Sequence, residues 1–379
     1  MSDEEVCQRL QRRESTFRVA STARARDGTV TAAAGRSGSA RPGRRPSVKD
    51  VAERAGVSWK TVSNVVNNRT NVRPETRARV EAAIRELGYR TSMAGRQLRS
   101  GRTYLLAVAL PDLTMPYFAH LAHSIIRSAE ARGYTVLISE TNGRPESERY
   151  VAGGFDAQFA DGIILRPEGL DSTTVTQAHG PLPLVLLGER VDGSHLDHVI
   201  VDNQTSGQET TQHLLDLGRR SLVFVGAQES RQFGPGWLRM LGYREAIEKA
   251  GIDFQPSRVV PARHFTRESG LLAVQELLGR GLPFDGLVCA SDLIAIGAMH
   301  ALRRRGLRVP EDVAVTGWDN IPEGAYSNPT LTTVAPDIAT SADRAVELLV
   351  RRIEDQDAAP REVVAGHKLI RRESTAAAG

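Results

Sequence analysis

Residues 48–67 read VKDVAERAGVSWKTVSNVVN and determine the fold of the amino-terminal region. The first eight of them place apolar side chains at the i, i+3, i+4 and i+7 spacing of one helix face: Val48, Val51, Ala52 and Ala55. Gly56 permits a tight turn, and Ser58 is a predicted N-cap for a second helix over 59–66.

A third helix is predicted shortly after this stretch. Pro74 suits its first turn, and Gly88 closes it. Between them, one face carries the apolar residues Val80, Ala83, Ile84 and Leu87. Three short helices with a tight turn between the first two indicate a helix-turn-helix domain over residues 46–90.

The remainder of the chain alternates between strand-like and helix-like segments. Apolar runs of strand length lie at 104–110, 135–139, 162–165, 184–187, 198–201, 222–225, 286–290 and 313–316. Helix-like segments lie at 117–132, 146–159, 206–217, 238–250, 267–278 and 292–304. Fully apolar strands between helices predict parallel sheets that are covered on both faces. About 275 residues is long for one such sheet, so we expect two doubly wound α/β lobes with a ligand cleft at the carboxyl ends of their strands.

Charge is distributed unevenly along the chain. Residues 1–45 carry 10 arginines against 5 acidic residues, and their composition predicts a disordered basic arm. The alternative is that translation starts further along the chain. Residues 46–102 have a net charge of +7 and residues 103–379 a net charge of −8. A basic head on an acidic body favours a polyanionic partner for the head alone.

Several classes of protein are disfavoured. The two cysteines, Cys7 and Cys289, exclude a disulfide scaffold and a four-cysteine zinc site. No Gly-x-Ser-x-Gly, Walker A or His-Glu-x-x-His motif occurs, so we expect no enzyme. His120 and His123 share a helix face without an evident third ligand, and we expect neither a metal nor a cofactor. No membrane span or secretory signal is evident, so we expect a cytoplasmic, nucleoid-associated protein.

The 48–67 stretch resembles the DNA-binding head of the LacI/GalR family of bacterial transcriptional regulators. The resemblance continues over almost the whole chain beyond residue 45, through 74–80, 87–89, 111–112, 116–118, 239–243, 291–292, 317–320 and 331–334. It implies a bilobed periplasmic-binding-protein-like body over 103–379. We expect the first lobe to comprise about 103–202 plus 333–357, and the second about 203–332 plus 358–375.

The resemblance implies that Trp59, Lys60 and Asn64 read bases in the major groove. Lysine can donate to guanine, asparagine can pair with adenine, and an indole can contact a thymine methyl group. Asn64 stands where relatives commonly have arginine, which changes the expected base preference. The alternatives are that Trp59 packs inside the head and that Asn64 contacts a phosphate. The remaining head positions are expected to contact the DNA backbone: Ser58, Thr61, Ser63, Asn67, Thr76 and Arg77. Thr61 and Ser63 have the alternative of being ordinary solvated helix residues.

Residues 91–102 resemble the family's hinge, which becomes helical on operator DNA. Leu98 matches the leucine that wedges into the minor groove and bends the duplex. Thr91 and Gly95 depart from the usual proline and alanine. Glycine costs ~1 kcal/mol relative to alanine in a helix, so we expect a hinge whose ordering depends strongly on DNA. The alternative is that Gly95 lets paired hinge helices approach closely.

The resemblance also implies a set of effector-binding residues. The first lobe contributes Met115, Tyr117 and Phe118, the second contributes Arg239, Phe265, Ser291 and Asp292, and Asp319 lies at the lobe crossover. Aromatic faces with an arginine fork and a carboxylate suit a polyhydroxylated ligand. The alternatives are that Phe118 is plain core and that Ser291 or Asp292 only caps a helix.

Arg166 follows the strand predicted over 162–165, where relatives more often carry a small or neutral residue. Pointing inward, it would favour a phosphate or carboxylate on the effector. Pointing outward, it is a solvated strand end. Gly188, Glu189 and Arg190 also depart from a pattern in which relatives have a ligand-binding aspartate.

These features predict a homodimeric repressor of carbohydrate uptake or catabolism genes, which binds near-palindromic double-stranded operator DNA and senses a sugar or sugar derivative. Three alternatives stay open at this point. One is a nucleobase or nucleoside effector, the second is a stand-alone sugar-binding protein, and the third is a regulator controlled by a partner protein.

Overall fold

The computed structural model describes residues 46–66, 72–89, 101–155, 159–189, 195–228, 234–262 and 264–376. They fall into two compact units, one within residues 1–90 and the other within 91–379. None of the helices in these ranges combines the length and apolar character needed to cross a bilayer.

The first unit contains the three predicted helices, α1 (Val48–Ala55), α2 (Trp59–Val66) and α3 (Pro74–Leu87). Local capping sets their ends. Ser47 and Asp50 form a capping box at the start of α1, and Gly56 ends that helix with a φ of 63°. The helices bury Val51, Val62, Val65 and Val80 in a small common core.

The second unit begins with a sheet of strands β1 (Leu105–Leu110), β2 (Thr135–Glu140), β3 (Gly162–Leu165), β4 (Leu184–Gly188) and β5 (Asp197–Val201). Helices α4 (Pro116–Ala131), α5 (Pro145–Ala152) and α6 (Ser172–Ala178) connect them. The helix expected over 146–159 ends earlier than expected, at Ala152. The two residues that follow Ala152 are glycines, which have a poor helix propensity.

A second sheet follows with β6 (Leu222–Ala227), β7 (Val259–Pro261), β8 (Gly286–Cys289), β9 (Ala314–Trp318) and β10 (Thr332–Pro336). Its connections contain α7 (Asn203–Asp216), α8 (Pro235–Lys249), a 3-10 turn at Pro256–Arg258, α9 (Arg267–Gly279), α10 (Asp292–Arg304) and α11 (Pro322–Tyr326). The chain closes with α12 (Ile338–Glu354), β11 (Glu362–Ala365) and β12 (His367–Ile370).

Both sheets have the same strand order. The first runs β2-β1-β3-β4-β5-β11 and the second runs β7-β6-β8-β9-β10-β12. All pairs are parallel except β10 with β12. This order is doubly wound, and ligands bind such sheets at the carboxyl ends of the strands.

The lobe boundaries differ from the expected ones. Residues 333–336 belong to the second sheet through β10, whereas 362–365 belong to the first sheet through β11. Helix α12 packs on α4 and on the first sheet. The chain therefore passes between the lobes three times, at 201–203, 336–338 and 365–367.

Two helix pairs in the second lobe pack backbone against backbone. A Cβ built on Gly242 in α8 would lie 2.0 Å from the carbonyl oxygen of Gln204 in α7. A Cβ built on Gly270 in α9 would lie 1.9 Å from the carbonyl oxygen of Ile294 in α10. Glycine is required at these crossings because no side chain fits between the helices.

Candidate functional site

Helix α2 carries the predicted base-reading residues away from its buried face. Val62 and Val65 are buried. At 100° per residue, Lys60 and Asn64 lie on the opposite side of the helix and Trp59 lies on its flank; Lys60 is exposed and Asn64 is half-buried. Trp59 is 57% exposed. This exposure argues against the alternative in which its indole packs inside the head.

The residues predicted to contact the DNA backbone also have local contacts. The Thr61 amide donates to the Ser58 hydroxyl at 3.2 Å, which makes Ser58 the N-cap of α2. The Arg77 guanidinium donates to the Val65 carbonyl at 3.4 Å, at the end of α2. Ser63 and Thr76 are half-buried. The expectations for Asn67, for Leu98 and for the arm over 1–45 lie outside the described residues, as does most of the hinge.

A cavity of about 770 Å³ lies between the two sheets. This is within the ~300–1,000 Å³ that is usual for small-molecule sites. Its walls are built from segments that follow the carboxyl ends of strands in both sheets. The predicted effector residues that line it are Met115, Tyr117, Phe118, Arg166, Arg239, Phe265 and Asp319.

Aromatic rings of both lobes meet in this cavity. Tyr117 at the start of α4 lies with its ring centroid 6.4 Å from that of Trp318 at the end of β9. Phe118 is 7% exposed and packs in the core of the first lobe while it also lines the cavity. Burial raises the pKa of the Tyr117 hydroxyl to about 12, so this group is a neutral donor or acceptor at pH 7.

Arg239 of α8 is held in the wall of the cavity by three contacts. Its guanidinium stacks 3.4 Å from the centroid of the Trp318 ring. Its Nε donates to the Asn203 side chain at 2.9 Å, and its Nη1 donates to the Ala290 carbonyl. Burial lowers the pKa of Arg239 to about 10, so it remains charged at neutral pH. The arrangement presents a planar, oriented donor fork.

Asp319 stands beside this arginine on a strained backbone. Its φ is 122° and that of the next residue, Asn320, is 51°. Such values cost about 1–3 kcal/mol each in non-glycine residues and often occur at ligand sites. Burial raises the pKa of the Asp319 carboxyl well above its usual value, against the effect of Arg239. The carboxyl can therefore accept hydrogen bonds or, when protonated, donate one.

Ser291 and Asp292 do not line the cavity. Ser291 is the N-cap of α10 and accepts from the Ile294 amide at 3.3 Å. Asp292 is fully buried, and its carboxylate accepts from the Ile321 amide at 2.8 Å and from the Thr333 hydroxyl at 2.5 Å. In this structure Ser291 thus caps α10, and Asp292 joins α10 to the segments that carry Ile321 and Thr333. An effector contact by either residue stays a prediction.

Arg166 points inward and is paired. It lines the cavity and donates to the Glu189 carboxylate at 2.8 Å. The partner, Glu189, also lines the cavity. Nothing in the sequence indicated a pair between these two residues, which are 23 positions apart, although both follow predicted strands. Sequence reasoning also missed Asn203 and Trp318 as cavity residues; the signal available for Trp318 was its position next to Asp319.

Two family models match the chain. Residues 47–92 match the bacterial regulatory proteins of the lacI family, and residues 211–375 match a periplasmic binding protein-like domain. The HTH-type transcriptional regulator CelR of Thermobifida fusca is 33% identical over 344 residues, covering 87% of this chain and 98% of CelR.

The chain belongs to the LacI family.

Solved structures of LacI-family proteins agree with this assignment. A transcriptional regulator CelR–cellobiose complex is 30% identical, has a TM-score of 0.65, and covers 87% of this chain and 100% of that one. A lac repressor dimer bound to operator and the anti-inducer ONPF is 26% identical, has a TM-score of 0.79, and covers 88% of this chain and 100% of that one. The protein is thus a transcriptional regulator of the LacI family, with the helix-turn-helix head and two-sheet body of that family.

Family membership sets aside one of the open alternatives. A stand-alone sugar-binding protein has no need of the head, whereas residues 47–92 match the regulatory family. The relatives reported above are named as transcriptional regulators and not as enzymes.

Proposed function

We propose that this regulator is a homodimeric repressor of carbohydrate uptake or catabolism genes, controlled by a sugar or sugar derivative in the cavity between its lobes. The observation that carries the proposal is the stack of Arg239 on Trp318 beside Asp319. A rigid donor fork, a carboxyl and aromatic faces are the groups that recognise a ring bearing several hydroxyls. The solved complex of CelR with cellobiose supports this choice of ligand class.

The effector would act by changing the relative orientation of the lobes. Tyr117 and Trp318 come from different lobes, so a ligand between them contacts both. Coupling requires that the ligand binds one lobe orientation better than the other, typically by about 1–3 kcal/mol. By thermodynamic linkage, the effector changes the affinity for the operator by the same factor as the operator changes the affinity for the effector.

The homodimer is supported by an apolar edge of the first sheet. Strand β2 lies at the edge, and its Leu137 and Ile138 are each 40% exposed. An open, apolar edge strand is a surface that proteins normally cover. Two heads in one dimer would match the two half-sites of a near-palindromic operator.

The proposal is tested by thermal melting of the full-length protein with neutral sugars, sugar phosphates, sugar acids and purines. A ligand that binds the folded state raises the melting temperature, and we expect a rise of a few °C for neutral sugars. The same sugars should alter affinity for a duplex selected from a random library. A rise confined to purines would instead favour the nucleobase alternative. No rise, with or without the selected duplex, would contradict a small-molecule effector and favour control by a partner protein.

Replacing Lys60 with alanine should relax base preference at one position of each half-site. The Lys60 side chain is exposed on α2. If it reads a base as we propose, one such contact discriminates by about 1–3 kcal/mol. Selection of duplexes from a random library measures this preference. The matched control is Lys49→Ala, which removes the same charge from α1 and should leave base preference unaltered. An unchanged preference in Lys60→Ala would show that Lys60 does not read a base.

A further inference from the structure

One ion pair is built into the wall of the cavity. Arg166 follows β3 and Glu189 follows β4, its neighbour in the first sheet. Their side chains are only 9% and 11% exposed, and the Nη2 of Arg166 lies 2.8 Å from the Glu189 carboxylate. Arg166 also donates to the Pro167 carbonyl at 2.6 Å. The pair is thus held in a fixed geometry at the surface that a ligand would meet.

Gly188 makes room for this pair. Its φ of 129° is in the region that favours glycine, and a Cβ built there would lie 2.9 Å from the Cζ and Nη1 of Arg166. The guanidinium therefore lies flat against the Gly188 backbone. The Gly188-Glu189 dipeptide supplies both the surface on which the guanidinium rests and the carboxylate that pairs with it.

The pair neutralises the positive charge of one of the two buried arginines in the cavity wall; the third arginine that lines the cavity, Arg267, is exposed and pairs with Glu323. Two arginines with buried side chains, Arg166 and Arg239, line its walls. Burial lowers the pKa of Arg166, but nearby acidic groups, Glu189 first among them, outweigh this effect and the pKa is raised overall. For Arg239 burial prevails, and the pKa is lowered to about 10. Arg166 is thus compensated by a partner of its own.

An anionic ligand would meet this wall at a disadvantage. A phosphate or carboxylate placed near Arg166 would also lie near the Glu189 carboxylate, and like charges repel strongly where water is excluded. It would have to displace Glu189 and leave a buried carboxylate without its partner. A neutral hydroxyl can instead accept from the arginine or donate to the glutamate with the pair intact.

We propose that Glu189 determines the charge selectivity of the cavity. By neutralising Arg166 it makes the cavity select an uncharged polyhydroxylated effector and reject a phosphorylated or acidic one. The inference rests on the proposed function only in taking the cavity as the effector site. It reverses what an inward Arg166 by itself suggests, which is an anionic ligand.

The test is titration calorimetry on the full-length protein with three probes: cellobiose, its aldonic acid cellobionate, and inorganic phosphate. The wild type should bind cellobiose and should bind cellobionate and phosphate at least tenfold more weakly. Glu189→Gln exposes Arg166 without a charged partner, so affinity for both anions relative to cellobiose should rise at least tenfold. The double variant Arg166→Gln with Glu189→Gln should lose this gain. Glu276→Gln, which removes a carboxylate from an exposed pair with Arg280 outside the cavity, is the matched control and should behave as the wild type.

Replacing the other partner of the ion pair keeps the inference testable if Glu189→Gln does not fold. Arg166→Gln leaves Glu189 without its cation, so binding of the cationic sugar glucosamine relative to glucose should rise. An unchanged anion-to-neutral ratio in Glu189→Gln would overturn the inference, as would a wild type that prefers the anions. Where Glu189→Gln does not fold, an unchanged glucosamine-to-glucose ratio in Arg166→Gln would overturn it.

The phosphate measurement separates this inference from the proposed function. If no sugar binds the wild type but Glu189→Gln gains phosphate affinity, the sugar effector is wrong and the rejection of anions by Glu189 stands. If sugars bind and the phosphate affinity of Glu189→Gln stays at the wild-type level, the charge selectivity is wrong and the sugar effector stands.

Discussion

Replacing Arg239 with alanine is expected to abolish the response to the effector, with at least a 100-fold loss of effector affinity. The guanidinium is a cavity donor held in place by Asn203, the Ala290 carbonyl and the face of Trp318. A hydrogen bond to a charged group contributes about 1.5–3 kcal/mol, and a fork can make two. Calorimetric titration with the neutral sugar that raises the melting temperature most is the measurement.

Two further variants make this prediction specific. Arg239→Lys retains the charge but loses the planar fork, so its affinity should lie between those of the wild type and the alanine variant. Arg244→Ala removes an exposed arginine from the same helix, α8, where it pairs with Glu248 at 2.8 Å. An exposed pair contributes little, at most about 1 kcal/mol, so effector affinity should be unchanged. Equal losses in the variants of Arg239 and Arg244 would contradict a ligand contact by Arg239.

Replacing Gly270 with alanine is expected to destabilise the second lobe by about 3 kcal/mol. The added methyl group would lie 1.9 Å from the Ile294 carbonyl oxygen, so α9 and α10 must move apart. Overpacking of this kind typically lowers the free energy of unfolding by about 1–3 kcal/mol. We expect the upper end of that range here, because the added methyl group would clash with main-chain atoms, which cannot move aside as a side chain can. Thermal melting measures the effect, and we expect the melting temperature to fall by at least about 5 °C.

The same substitution elsewhere in α9 provides the control. A Cβ built on Gly279 meets nothing within 4 Å. Alanine there should be neutral or stabilise by up to ~1 kcal/mol, since alanine is the better helix former. If both variants melt at the wild-type temperature, the close crossing of α9 and α10 is not rigid.

The sequence predicted best what local chemistry controls. The three helices of the head begin and end where expected because caps and turns set them, such as Ser58 and Gly56. Most strands of the body were identified because each is a short, fully apolar run. Strands β7, β10, β11 and β12 were missed, because each has only three to five residues. In addition, β11 and β12 pair with strands more than 30 residues away in the sequence.

The site was predicted less completely than the fold. Asp292 and Asp319 both follow strands of the second sheet, yet one is buried in a structural network and the other faces the cavity. Sequence cannot distinguish them because the difference lies in the direction of each side chain. The sequence also could not predict that the charge of Arg166 is neutralised. This depends on the pairing of β3 with β4, which brings the Glu189 carboxylate to 2.8 Å from the guanidinium.

The three passages of the chain between the lobes have a consequence for synthesis. The first lobe lacks its helix α12 and its edge strand β11 until residues 338–365 have been translated. Residues 103–202 alone would leave β5 as an open edge and the face that packs on α12 uncovered. On the ribosome, neither lobe can finish folding before nearly the entire polypeptide has emerged. The head, whose contacts are local, can fold long before that.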